Sequence, residues 1–335
     1  MFFSIIIPVQ KINDYIFETC NKLKELENKN FEVLIFPDEI EENNEEFEKQ
    51  LGAKIIPSGK VSPAIKRDMA IQYAKGDILA FIDDDAYPRR DWLKNAVRHF
   101  NNSDVAAVGG PAVTPSSDSF WQRVSGAVFL SRISSGCTER YWPIGRVREI
   151  DDWPSVNLLV RKDIFEKIGG FNCAYWPGED TKLCLDIIKV GKKIIYDPDV
   201  FVWHHRRKGL IRHLRQIGRY GLHRGFFAKR FPETSRRFKY FLPSLLVMFL
   251  SIGIPLFFVN NSFFSVLYYT GIGIYLFSLA FAFYQIHDKE KNFAISLISV
   301  LYMFLTHICY GVRFLQGYLF TRDLKSTLKK GNEYQ

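Results

Sequence analysis

The chain has few cysteines, five in 335 residues, and Cys20, Cys137, Cys173, Cys184 and Cys309 show neither CxxC spacing nor a disulfide framework. They read as reduced packing thiols. A P-loop is also missing. No GxxxxGK[ST] occurs, and Gly59-Lys60 has neither the upstream glycine nor the following Ser or Thr, which excludes that route to ATP chemistry. No glycine-rich phosphate loop follows the first apolar run, Phe2 to Val9, so the nucleotidyltransfer arrangement is absent as well. Met1 to Gln10 has no basic start, and its apolar run stops at Pro8, so no signal peptide is read there. The N-terminal part is therefore expected in the cytoplasm.

Charge is absent or one-sided in the second half. Phe241 to Val259 and Phe263 to Ile286 contain no charged side chain, and Phe293 to about Tyr318 carries only His307 and Arg313. Nineteen residues make a helix of about 28 Å, close to the hydrocarbon thickness of a bilayer, so about three membrane segments are expected. Between His204 and Tyr240 one acid, Glu233, faces twelve lysines and arginines. That local net charge of +11 exceeds the whole chain's +9. Leu210, Leu214, Ile217, Phe226, Phe227 and Phe231 recur among those cations at roughly helical spacing, the pattern of a helix lying on an anionic membrane surface. Basic residues with aromatics also suit a nucleic-acid face. The apolar run that begins at Phe241 favours the membrane, and no nucleic acid is expected as a partner.

Three full spans would carry Arg322, Lys325, Lys329 and Lys330 to the outside, against the positive-inside tendency. With His307 and Arg313 inside it, the last segment suits a re-entrant or interfacial placement. The expected organisation is a catalytic domain over 1–203, a basic amphipathic interface segment over 204–240, a membrane region over 241–320 and a basic tail over 321–335.

The first half alternates strand and helix patterns. Phe2 to Val9 and Phe31 to Phe36 read as buried parallel strands around a helix from Asp14 to Asn28. Glu41 to Gln50 reads as a solvated helix or loop, Lys54 to Ile56 as a third strand, Ala64 to Ala74 as a helix and Asp77 to Ile82 as a strand. The order predicts a doubly wound, mostly parallel α/β domain with a ligand crevice at the strand carboxyl ends. Val105 to Val113 and Val156 to Val160 read as further strands, and Thr181 to Val190 as a helix; the order within Ser116 to Arg148 is left open.

Three aspartates, Asp83, Asp84 and Asp85, follow the strand run directly. Acids are disfavoured inside strands, so they belong at its carboxyl end. Adjacent carboxylates resist joint ionisation unless a cation sits between them, and Mg²⁺ or Mn²⁺ prefers such oxygen ligands. Alternation puts Asp83 and Asp85 on one side and Asp84 on the other, which makes Asp84 dispensable for metal. Asp38 stands at another strand end. Glu179 and Asp180 open the Thr181 helix, where an acid serves either as a cap or as a base toward an acceptor hydroxyl. Transfer from a nucleotide-activated donor, with a cation offsetting the leaving diphosphate, fits these positions.

Six segments carry a resemblance in the same order: SIIIPV (4–9), EVLIFPDE (32–39), AIKRDMAIQYAKGDILAFIDDD (64–85), IFEKIGGFN (164–172), PGEDTKLCLDIIKVGKKIIYDPD (177–199) and VWHH (202–205). Over residues 2–240 the chain resembles the family 2 glycosyltransferases. That resemblance implies a GT-A fold and inversion at the donor's anomeric carbon. It implies a nucleotide-sugar site containing Pro8, Asp38 at the nucleoside base, Arg67 near base or phosphate, and the DxD pair Asp83 and Asp85 with Asp84 between them. It also implies metal ligation by Asp85 and Asp83 with His204, and Asp180 as general base beside Glu179. A satisfied core histidine is the other reading of His204. The expected donor is a UDP- or GDP-linked sugar, and the expected acceptor is a lipid-linked saccharide at the cytoplasmic face of the cell membrane.

Departures from the pattern are informative. Pro37 replaces one of two usual acids at the second strand end, and Gln10 stands where an aromatic and an asparagine are common. Gln216, Arg219 and Tyr220 resemble the QxxRW motif of processive synthases, with Tyr in place of Trp, and would meet the acceptor near the membrane. A processive polysaccharide synthase and a non-catalytic membrane scaffold are the alternative readings; product length separates out the first, and metal-dependent donor hydrolysis the second.

Overall fold

An apolar run with no alternation has to be covered on both faces, and Phe3–Pro8 (β1) is buried at all six positions. The computed structural model describes residues 1–39, 44–172, 175–256 and 262–324. They fall into two compact units, one over 1–113 and 142–205 and one over 114–141 and 206–324. Of Ser116 to Arg148, the stretch whose order the sequence leaves open, residues up to 141 thus belong with the C-terminal helices and 142–148 with the first unit.

In the first unit, β1 is followed by α1 (Asp14–Lys24), β2 (Phe31–Phe36), α2 (Asn44–Leu51), β3 (Lys54–Ile55), α3 (Pro63–Tyr73), β4 (Ile78–Ile82), β5 (Ala86–Pro88), α4 (Trp92–Val97), β6 (Val105–Gly109) and β7 (Ala112–Val113). Residues 41–43 of the expected acidic helix or loop lie outside the described residues. Asn13 starts α1 by accepting the Ile16 N–H at 3.2 Å. Ser62 does the same for Ile65 at 3.3 Å, with Pro63 in the first helical turn of α3. Two short helices, α5 (Phe120–Ala127) and α6 (Arg132–Ser135), belong to the second unit. The first unit resumes with β8 (Arg148–Ile150), β9 (Asn157–Arg161), α7 (Lys162–Lys167), α8 (Glu179–Lys189), β10 (Lys193–Tyr196) and β11 (Val202–His204).

The main sheet has the order β3-β2-β1-β4-β9-β6-β10-β8. Strands β1 to β4 and the β6–β10 pair run parallel, β9 lies antiparallel between β4 and β6, and β8 is antiparallel to β10. The expected α/β class holds, with one reversed strand at its centre. A second sheet, β5-β11-β7, sits after the acidic triplet. Val105 to Val113, expected as one strand, is two strands in different sheets. The break falls at Gly110, where a side chain is impossible: a Cβ there would lie 1.5 Å from the Val200 carbonyl oxygen.

The second unit contains α9 (Leu210–Arg230), α10 (Pro232–Ser235), α11 (Phe238–Leu256), α12 (Ser262–Glu290) and α13 (Phe293–Leu315), which runs on into a wider turn at Gln316–Phe320. Two stretches are long and apolar enough to cross a membrane, Phe263–Glu290 and Phe293–Phe320; Phe238–Gly253 is shorter. Two such stretches are present among the described residues; the first expected segment, Phe241 to Val259, ends in residues 257–259, which lie outside them. The apolar side of α9 also departs from expectation: Ile217, Phe226 and Phe227 are buried within the unit rather than turned to lipid. Of the tail, 325–335 lies outside the described residues, as does Cys173. Cys20, Cys137, Cys184 and Cys309 form no disulfide among the described residues.

Candidate functional site

The carboxyl ends of β1, β2 and β4 are brought together by parallel pairing, and the residues expected to act lie just beyond them. Pro8 ends β1 opposite Phe36, past the last residue that β1 pairs with β4, so its missing N–H leaves no gap in that ladder. Val9 N–H donates to the Phe36 carbonyl at 3.1 Å and Asp38 N–H to Gln10 at 3.0 Å, which carries the β1–β2 register out to Asp38.

Helix α3 then aims two consecutive cations at these strand ends, and both are buried. The Lys66 Nζ donates to the carbonyls of Val9 and Phe36 and to the Asp38 carboxylate. Burial lowers the Lys66 pKa, while Asp38 and, more weakly, Asp84 pull it back up. Arg67 donates from Nη2 to Asp83 at 2.6 Å and from Nη1 to Glu179 at 3.4 Å, with its guanidinium carbon 5.5 Å from the centre of the Phe171 ring. Its Nε, also buried, has no hydrogen-bond acceptor among the described residues. The next residue, Asp68, holds the turn that carries Phe171 by accepting the N–H groups of Phe171 at 2.7 Å and Asn172 at 3.1 Å.

The aspartate triplet turns rather than running on as a strand, with the Ala86 N–H donating back to the Asp83 carbonyl at 3.2 Å. One ligand atom each from Asp83, Asp85 and His204 lie within 4.8 Å of one another. The His204 Nε2 is 3.1 Å from Asp85 Oδ1, and the backbone holds the pair in place: His204 pairs with Ala86 across β11 and β5, and the His205 N–H donates to the Asp85 carbonyl at 2.9 Å. Asp84 is not in that group; its Oδ2 lies 3.4 Å from Asn13 Nδ2 at the start of α1. Two carboxylates and an imidazole at this separation match the spacing of oxygen and nitrogen donors around one divalent cation, whose bonds are about 2.0–2.3 Å long. The donor set fits Mn²⁺ or Mg²⁺.

Gly178, at φ 113°, opens α8. Glu179 is buried and its pKa is pushed up to about 8, first by burial and next by Asp180, against the pull of Arg67. Asp180 is half-buried and accepts the Thr181 N–H at 2.8 Å. Gln216, Arg219 and Tyr220 lie on α9 in the second unit, where Gln216 Nε2 donates to Tyr220 Oη at 3.1 Å.

Lys66 was missed as a site residue. A lysine next to Arg67 on a helix reads as one more exposed cation, and only the parallel β1–β2 register reveals two carbonyls and Asp38 converging on it. The triplet, by contrast, declares itself through the apolar strand that precedes it.

Residues 4–169 match the family model described as glycosyl transferase family 2; Glu179, Asp180 and His204 fall outside the matched range. Over 178 residues the chain is 28% identical to the pre-mycofactocin glycosyltransferase of Mycobacterium tuberculosis, covering 52% of this chain and 36% of that protein, about a third of its length. It is 23% identical over 243 residues to the dolichyl N-acetyl-alpha-D-glucosaminyl phosphate 3-beta-D-2,3-diacetamido-2,3-dideoxy-beta-D-glucuronosyltransferase of Methanococcus voltae, covering 68% of this chain and 74% of that one. Among solved structures, the mannosyltransferase PcManGT from Pyrobaculum calidifontis, in complex with GDP-Man and Mn²⁺, superposes with a TM-score of 0.58 at 17% identity, covering 89% of this chain and 86% of that one. GalNAc-T7 with UDP, GalNAc and Mn²⁺ superposes with a TM-score of 0.50 at 14% identity, covering 71% and 52%. These likenesses establish the GT-A fold.

Proposed function

For a chain that belongs to glycosyl transferase family 2 through residues 4–169, we propose inverting transfer of one sugar from a UDP- or GDP-linked donor to a lipid-linked saccharide at the cytoplasmic face of the cell membrane. The single observation that carries this reading is the convergence of Asp83, Asp85 and His204 within 4.8 Å, with Arg67 clamped onto Asp83 at 2.6 Å. The solved neighbours carry nucleotide sugars or their parts together with Mn²⁺, and the Methanococcus relative is named for a dolichyl phosphate-linked sugar. Both support the donor and acceptor classes.

In this reading the first unit is the catalytic domain and the second is the membrane-attached part. Asp38, fixed by Lys66, contacts the nucleoside, and Pro8 forms the wall beside it. Asp83, Asp85 and His204 would hold Mn²⁺ or Mg²⁺, which supplies positive charge to offset the leaving diphosphate. Arg67 adds a second positive group on the same side, oriented by Asp83 and Glu179. The acceptor hydroxyl attacks the anomeric carbon from the face opposite the diphosphate, the bond from carbon to diphosphate oxygen breaks, and Asp180 takes the hydroxyl proton. Glu179, buried against Arg67, positions that guanidinium. Gln216, Arg219 and Tyr220 contact the acceptor.

Asp180→Asn tests the base. With the thermal shift by donor and Mn²⁺ intact, transfer is expected to fall about 10²–10⁴-fold. Near-normal transfer by that variant overturns the assignment.

A further inference from the structure

Helix α13 with its terminal turn covers 28 residues of spanning length and composition, yet its neighbours inside the second unit are unsuited to a bilayer interior. From Thr306 onward it runs side by side with α9. His213 Nε2 lies 2.8 Å from Thr306 Oγ1, Cys309 Sγ donates to the Leu214 carbonyl at 3.4 Å, Arg313 Nε to Gly218 at 3.5 Å, and Lys229 Nζ to Thr321 at 2.7 Å. The contact is close because α9 presents glycines: a Cβ on Gly225 would lie 2.1 Å from the Phe314 carbonyl oxygen. Along that stretch α9 carries Arg215, Arg219, Arg224 and Lys229. If α13 crossed the bilayer, these cations would cross with it, at a cost of about 2.5–3.5 kcal/mol for each one near the middle.

The rest of α13, Phe293 to Leu305, is thirteen residues or about 20 Å, too short for a core of about 30 Å. That half packs on α5, where Ser299 Oγ donates to the Val124 carbonyl at 3.1 Å, and the turn before it is held by Arg123 and Glu290 at 2.7 Å. One face of α13 is uncovered from end to end. Phe293, Leu297, Leu301, Phe304, Val312 and Leu319 recur at steps of three, four, seven and eight, and all are exposed.

Helices α11 and α12 differ from α13. Five residues separate them, a reach of about 20 Å, which is less than the roughly 28 Å length of α11 and requires an antiparallel return. Phe249 and Tyr268 meet across the pair at 5.0 Å. Both helices also pack on α13: Ser244 Oγ donates to the Gly311 carbonyl at 3.0 Å, Phe283 meets Phe293 at 5.5 Å, and near the middle of α12 Tyr275 Oη lies 3.0 Å from His307 Nδ1.

We propose that α9 and α13 lie together in the plane of the membrane surface, that the exposed stripe of α13 is covered by the acyl chains of one leaflet, and that only the α11–α12 pair enters the hydrocarbon. The chain then leaves and returns on the same face. Arg322, next to the Lys229 contact at Thr321, stays with the other cations, and the conflict with positive-inside orientation disappears. The inference rests on the membrane attachment in the reading above, which flotation of the full chain on vesicles tests separately.

Two measurements test the placement. Fluorescent-protein and alkaline-phosphatase fusions at each end of the unmodified chain are expected to place both ends on one side, and ends on opposite sides overturn the proposal. Nitroxides at Leu297→Cys, Leu301→Cys, Val312→Cys and Leu319→Cys, in a background without the native cysteines, are read in phosphatidylethanolamine–phosphatidylglycerol vesicles. Depths that agree within about 5 Å are expected, whereas a spanning helix gives a gradient of about 33 Å. Labels shielded from oxygen at all four sites would mean that a second copy covers the stripe, which also overturns lipid as its occupant. Because α12 and α13 crossing together would also leave both ends on one side, the depths decide the placement of α13; where the cysteine-free background does not fold, they are read from a bio-orthogonal spin label at the same four positions in the native background.

Discussion

The two units of this chain differ in what they leave exposed more than in what they bury. In the first, Ile5, Ile6, Ile7 and Ile78 to Ile82 are fully enclosed, and the acids stand where the strands run out. In the second, the enclosed face of α13 mixes Ile295, Tyr302, Met303 and Phe314 with Ser296, Ser299, Thr306, His307 and Gly311, while Phe293 and Leu301 point outward. Burial is set by the medium: in water apolar area goes inside, at about 25 cal/mol per Å². Next to lipid that gain is absent, and close contact between small residues holds helices together instead. Within the second unit the two helices differ: α13 leaves an apolar stripe outside, whereas α9 buries Ile217, Phe226 and Phe227.

The largest expected effect separates function from stability at the strand ends. Asp85→Asn should lower transfer by about 10³-fold and abolish the thermal shift caused by Mn²⁺, since it removes a ligand of the three-residue cluster. Its unfolding temperature without metal should hold or rise, because one of three crowded negative charges is gone. A large loss of stability would make Asp85 a structural residue instead.

The next effect belongs to the helical unit. Gly225→Val puts a branched side chain where even a Cβ would sit 2.1 Å from a backbone oxygen of α13. A loss of about 3 kcal/mol or more is expected in detergent, read as thermal unfolding of the helical signal. Leu301→Ser, on the outward stripe, should change the same signal by less than about 0.5 kcal/mol. Equal effects of the two would break the contrast between the faces.

How much of this was legible beforehand follows from which contacts are local. The strands of the first unit, α3 and the triplet announce themselves through uninterrupted apolar runs and an abrupt change to acids. The reversal of β9 did not, because a strand buried on both faces has the same composition in either direction. Nor did the split of Val105 to Val113, which depends on Val200, ninety positions further on. The aromatics of α9 were read as facing lipid because helical spacing shows that a stripe exists, not what covers it; Gly218, Gly221 and Gly225, which admit α13, were the missed signal. The attachment of 114–141 to the helical unit rests on pairs such as Arg123 with Glu290, 167 positions apart, and no local pattern encodes that. Within the site, Asp83 and Asp85 were found together with His204, whereas the Lys66–Asp38 pairing needed the register of two strands.

A smaller effect comes from an ion cluster around buried Asp197, which has no role in the proposed chemistry. Asp197 is enclosed, which on its own would raise its pKa, but hydrogen bonds from His99 at 2.6 Å, Arg98 at 2.6 Å and the Asp199 N–H outweigh burial and bring it down to about 2. A depressed carboxylate pKa contributes stability that is complete above the unfolded value near 3.9 and disappears as pH falls towards 2. Asp197→Asn should therefore be less stable than the parent at pH 6, with the gap closing between pH 4 and pH 2 in denaturant melts. A constant gap over that range would assign the loss to packing rather than to charge.

The remaining effect has the opposite sign and lies inside the site. Glu179 is buried beside Asp180, and its pKa is pushed up to about 8 from an ordinary value of 4.5. The folded chain then holds a proton that the unfolded chain has released at every pH between those values, so Glu179 makes stability fall as pH rises from about 4.5 to 8. Arg67 does not depend on it for a counterion, since Asp83 is the nearer partner, at 2.6 Å against 3.4 Å. Glu179→Gln keeps the shape and removes the titration. In metal-free protein the variant should match the parent near pH 5 and exceed it at pH 8, with a flatter slope of stability against pH. An unchanged slope would show that Glu179 is ionised throughout, held by Arg67, and would move the charge balance of the site onto Asp180.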